Sequence, residues 1–137
     1  MPDESTPDLT VLVHQIVAAT NARDFDAVES FYAPDAVLAI WELGTFEGRA
    51  AIRGLYEDWW RTYEDHQQEV EEVRDLGDGV TFNVVLQRAR LPDTTGALQN
   101  RYAVVATWAN GLIEKQNNYQ DIDRARATAE RLAESRE

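Results

Sequence analysis

At 137 residues, 44% of them hydrophobic, the chain is long enough for a single domain over residues 1–137 with its own core, and too apolar to be disordered. The lack of cysteine excludes disulfides, thiolate chemistry and cysteine-bound zinc, and two histidines, His14 and His66, are too few for a histidine metal site. A formal charge of −12 without any basic cluster argues against a nucleic-acid partner, and no cofactor is expected. No apolar run reaches membrane-spanning length and the N-terminus, MPDESTPD, is acidic, so no membrane association and a cytoplasmic location are the default expectations.

Thr6-Pro7-Asp8 predicts a helix start, with Thr6 as the cap. Leu9, Leu12, Val13, Ile16, Val17 and Thr20 then trace one apolar stripe, with His14 at its border. Asp24 caps a second, short helix whose Phe25, Val28 and Phe31 face inward, and Pro34 ends it. Val37, Leu38, Ile40 and Trp41 predict a buried strand. A loop between Gly44 and Gly48 leads into a helix on which Ile52, Tyr56, Trp59 and Tyr63 share a face, with Gly48 as its cap.

Strands follow over Gln68–Leu76 and from Val80 through Leu86, separated by Gly77-Asp78-Gly79. Simple alternation puts Val80, Phe82, Val84 and Leu86 on one face, and Thr81, Asn83, Val85 and Gln87 on the other. After the loop at Pro92–Gly96, Leu98, Asn100, Tyr102, Val104, Ala106 and Trp108 share a face of the next strand. Asn110-Gly111 predicts a tight hairpin into a last strand, Leu112–Gln120. Asp121 caps a final helix with Ile122, Ala125, Ala129 and Leu132 on its apolar face. The order predicts an α+β domain, a curved antiparallel sheet wrapped over helices.

Several segments carry a family resemblance: Asn21–Ala27, Phe31–Ala36, Phe46–Arg53, Asn110–Ile113 and Tyr119–Asp121. In this order the chain resembles the SnoaL-like group of the nuclear transport factor 2-like superfamily, related to ketosteroid isomerases and polyketide cyclases. The resemblance implies a cone-shaped barrel with a cystatin-like cone fold, an internal cavity and sheet-to-sheet homodimers. It also implies which positions carry chemistry in the enzymes. The isomerase tyrosine, general base and oxyanion acid fall at Ile16, Ile40 and Val104, and the cyclase acid falls at Asn118. Aliphatic side chains neither accept protons nor donate hydrogen bonds, and an amide is no base near neutral pH. Neither reaction is therefore expected of this chain.

The carry-over directs Ile16, Ile40 and Val104 inward. The expected cavity wall comprises Trp41, Tyr56, Trp59, Tyr63, Phe82, Tyr102 and Trp108, with Gln116 and Asn118 as polar anchors. The leading expectation is a protein that binds a small, largely apolar molecule. The alternatives are an isomerase, cyclase or hydrolase with Glu114 or Glu42 as base, and a structural module whose cavity is filled by its own side chains. The homodimer is expected to form through the outer sheet face and to bury Val85 and Val105.

Overall fold

The structure, a computed structural model, describes residues 8–41, 43–90 and 97–136. The first helix, α1 (Leu9–Asn21), is capped by Asp8, whose carboxylate accepts from the Thr10 amide at 3.0 Å. Thr6, the expected cap, lies outside the described residues. The short α2 (Phe25–Ser30) is capped by Asp24 as expected. Strand β1 (Tyr32–Ile40) starts earlier than the apolar run suggests and contains Pro34. Residues 44–47, expected as loop, form β2 (Gly44–Glu47), which pairs antiparallel with β1.

Gly48 then caps α3 (Arg49–Thr62), with a φ of 89° that suits glycine. The remaining elements are β3 (Glu64–Gly77), β4 (Val80–Arg90), β5 (Ala97–Ala109), β6 (Leu112–Tyr119) and α4 (Ile122–Ser135). The six strands form one sheet in the order β2-β1-β6-β5-β4-β3, which curves but does not close. All neighbours are antiparallel except β1 and β6, which run parallel. No helix among the described residues is long and apolar enough to cross a membrane.

Helices cover both faces of this sheet. On one side α1 and α3 pack over a core that includes Val13, Tyr32, Leu38, Ile52, Tyr56 and Trp60. On the other, Ala125, Ala129 and Ala133 of α4 lie against Val80, Phe82, Val84, Ala103 and Val105. The three alanines let the helix sit close to the strands. Arg126 fastens it: its guanidinium stacks over the Phe82 ring at 4.7 Å and pairs with Glu72 at 2.6 Å.

This arrangement corrects the expected facing of β4. Asn83 pairs with Val104 and Val85 with Tyr102, so Thr81, Asn83 and Val85 share the face of Tyr102 and Val104. Phe82 is on the opposite side under α4 and lines neither of the two spaces on the α1 side. The outer sheet face expected to bury Val85 and Val105 between two copies is likewise revised. Val85 points toward the α1 side, and Val105 is already covered by the chain's own α4.

The turn between β3 and β4 makes a close approach to β5. Gly79 has a φ of +77°, and a Cβ there would come within 2.7 Å of the Trp108 carbonyl oxygen. Its own carbonyl accepts from the Trp108 amide at 2.8 Å, so the two backbones cannot separate without losing that bond. Gly79→Ala is expected to destabilise the domain by about 1–3 kcal/mol. A urea midpoint unchanged from the parent chain would contradict this.

Candidate functional site

The face under α1 and α3 holds two spaces that share the Tyr102 side chain as a wall. The outer pocket encloses about 480 Å³ and opens at one end of the sheet. Trp41 from the end of β1, Trp59 and Tyr63 from the end of α3, and Tyr102 from β5 supply its rings. Trp41 and Tyr102 pack on each other at 5.6 Å, and Trp59 stands edge-on to Tyr56 at 6.2 Å. Ile40, Ala89, Leu43 and Leu98 add apolar surface, and the last two remain about half exposed at the rim. Gln87, Gln99 and Asn100 add amides to the hydroxyls of Tyr63 and Tyr102 and the indole N–H groups of Trp41 and Trp59.

The inner space is a pit of about 40 Å³ between α1 and the sheet. Val13, Ile16 and Val17 of α1 form one wall, and Asn83, Val85, Tyr102, Val104 and Trp108 of the strands form the other. Trp108 donates its indole N–H to Thr81 Oγ1 at 2.9 Å. A chain of neutral hydrogen bonds runs beside the pit. Tyr32 has one hydroxyl proton and gives it to Gln116 Oε1 at 2.7 Å, so Tyr56 donates to Tyr32 across 3.0 Å. Gln116 in turn donates to Asn118 Oδ1 at 3.0 Å. Burial raises the pKa of Tyr32, Tyr56 and Tyr102, so all three remain protonated donors at neutral pH.

The expected cavity residues therefore divide. Ile40, Trp41, Trp59, Tyr63 and Tyr102 meet at the outer pocket, while Ile16, Tyr56, Val104, Trp108 and Gln116 join Tyr102 around the pit. Asn118 is buried behind Gln116 as its acceptor. Phe82 is elsewhere. Sequence reasoning missed Tyr32, Gln68, Asn83 and Gln87, and a polar Asn83 between the apolar Phe82 and Val84 was the available signal.

Of the two candidate bases, Glu42 lies outside the described residues. Glu114 is exposed and lines neither space. Its position has a specific cause: Trp108 pairs with Ile113 but Thr107 pairs with Lys115, so Glu114 is the extra residue of a β-bulge. Alternation that would place it beside Gln116 and Asn118 is broken at that point. Among the described residues lining the two spaces there is no carboxylate, imidazole, amine or guanidinium. No three histidine or acidic residues among those described come together to hold a metal ion.

Residues 13–116 match the SnoaL-like domain family. No curated protein matches the chain. Among solved structures, a protein with a ketosteroid isomerase-like fold from Catenulispora acidiphila, in complex with trimethylamine, superposes with a TM-score of 0.73 at 16% identity, covering 86% of this chain and 91% of that one. An uncharacterized cystatin-fold protein from Novosphingobium aromaticivorans gives 0.72 at 15% identity, over 82% and 98%. A de novo designed protein with a curved β-sheet gives 0.65 at 17% identity over 93% of both chains. These likenesses are of fold, and a fold by itself does not specify chemistry. The chain belongs to the SnoaL-like domain family.

Proposed function

We propose that the chain is a small-molecule-binding protein whose ligand occupies the outer pocket. The observation that carries this reading is a space of about 480 Å³ with four aromatic walls, three amides and no charged group among its described lining residues. That volume suits a ligand of two or three fused rings or its equivalent. Anions find no counter-charge among those described residues, and desolvating one without a partner is costly. Leu43 and Leu98 favour the same conclusion, since a bound apolar body would cover both at the rim. Proton-transfer chemistry gains no support from Glu114, which faces solvent in the bulge.

The neutral dye N-phenyl-1-naphthylamine tests the reading. Its emission is expected to rise saturably on binding, with micromolar affinity. Trp59→Ala removes a half-buried wall ring and is expected to weaken the dye about tenfold, equivalent to about 1.4 kcal/mol. Non-saturating emission, or an unchanged affinity in a folded Trp59→Ala protein, would remove the outer pocket as the binding site.

A further inference from the structure

Asn83 is the unusual member of the pit. It stands on β4 at 5% exposure, and its carboxamide has no hydrogen-bond partner among the described residues. Among the described residues the fully enclosed polar side-chain atoms without a partner are Trp60 Nε1 and His66 Nδ1, so the unpartnered Asn83 amide atoms are reachable from the pit they line and can bond a group that enters it. The neighbouring polar group is half-used as well. Gln68 Nε2 donates to the Tyr102 hydroxyl oxygen at 2.7 Å, which leaves the Tyr102 proton free to be donated. Gln68 is itself fixed from α1: Asn21 Nδ2 donates to its carbonyl and Asn21 Oδ1 accepts from its amide, each at 2.8 Å.

Geometry brings the two free groups to one place. Asn83 pairs with Val104 and Tyr102 with Val85, so Asn83 and Tyr102 are diagonal neighbours on the same face of adjacent strands. The pit between them, about 40 Å³, admits a water-sized group and no ring. Tyr102 also walls the outer pocket, so a ligand body held there lies against the residue whose hydroxyl reaches the pit.

We propose that Asn83 and Tyr102 form a polar subsite that reads a single neutral oxygen substituent, carbonyl or hydroxyl, on an otherwise apolar ligand held in the outer pocket, the substituent entering the pit past the edge of the Tyr102 side chain that the two spaces share. This rests on the reading of that pocket given above. The Tyr102 proton and the Asn83 amide protons can both be donated to a carbonyl oxygen. A ligand hydroxyl instead accepts from Tyr102 and donates to the Asn83 amide oxygen. A carboxylate is disfavoured, because no cation is found among the described lining residues.

Three ligands of one shape separate these cases: tetralin, 1-tetralone and 1-tetralol, each titrated against bound N-phenyl-1-naphthylamine. The expected result is that the ketone or the alcohol displaces the dye about tenfold more tightly than tetralin, and that Asn83→Leu and Tyr102→Phe each bring the ratio close to one. Whichever oxygen compound gains more identifies the hydrogen-bond pattern. Equal affinities for all three in the parent protein, a ratio that survives both substitutions, or no displacement by any of them from protein that binds the dye would overturn the subsite and leave the outer pocket standing. Failure of the dye itself to bind would overturn both. Two variants are used because Leu at position 83 and Phe at position 102 disturb different strands, so loss of folding in one leaves the other to decide.

Discussion

Trp60→Ala is expected to cost about 3–5 kcal/mol of stability, the range for deleting a fully buried large ring. Trp60 is 2% exposed; its ring stacks on His66 with centroids 3.8 Å apart and meets Tyr56 at 6.0 Å. For a domain of ordinary stability, about 5–15 kcal/mol, that is a large share of the total. Trp60→Phe is expected to cost much less, under about 1.5 kcal/mol, because the lost indole N–H has no hydrogen-bond partner to leave behind. Urea denaturation of both variants checks this. Similar midpoints for the alanine variant and the parent would show that the ring is not structural. The adjacent Trp59 makes the contrast, since it is half-buried and lines the pocket.

Acidification is expected to destabilise the fold through His66. The imidazole is fully buried, stacked on Trp60, edge-on to Tyr63 and hydrogen-bonded through Nε2 to the Gln87 amide at 2.6 Å. Burial lowers its pKa to about 4, opposed by the Trp59 backbone and assisted by the positive charge of Arg23. The native state thus holds a neutral ring where the unfolded chain would protonate near pH 6.5. Stability is fully present above that value and is lost as pH falls toward 4. Between pH 7.5 and pH 5 the loss amounts to about 2 kcal/mol. His66→Phe is expected to abolish this part of the pH dependence, and superimposable urea-stability profiles for parent and variant would refute the assignment. The window stays above the range in which Glu72, held near pKa 2 mainly by its bond to Arg126, would contribute its own loss.

What the sequence revealed follows from where alternation is and is not informative. Val37 to Ile40, the Gly48 cap, the Asn110-Gly111 turn and the Asp121 cap each have a single local reading, and the structure has each of them in place, with Trp41 one residue past the end of β1. Strand β4 does not: all seven residues from Val80 to Leu86 are buried, because α1 and α4 cover opposite faces of the sheet. Period-two patterning identifies the two sets but gives no sign of which faces the cavity. Hence Phe82 was expected inside and Asn83 outside, the reverse of their positions. On β6 the failure is different. The sequence has no marker for a one-residue bulge, so simple alternation puts Glu114 on the face of Gln116 and Asn118, although only the last two are buried. Residues 44–47 lack a strand pattern, and β2 exists because β1 offers a free edge to pair with.

The open sheet also has a consequence for behaviour in concentrated solution. Its order ends on β3, fourteen residues long, which leaves one side of a long strand without a neighbour in the sheet. Such an edge is a template on which another chain can add as a further strand, the first step toward fibrillar aggregation. Here the strand reads EDHQQEVEEVRDLG, and the exposed members include Asp65, Glu69, Glu71 and Asp75. Arg88 of β4 and Arg101 of β5 pair with Glu69 and Glu71, which holds those side chains in place without reversing the acidic excess along the border. Two copies meeting edge to edge would align rows of like charge within a distance that salt at physiological strength screens only in part. The acidic surplus that says little about the pocket thus acts at the longer of the two borders, β3 rather than the four-residue β2, where the fold could otherwise continue into its neighbour.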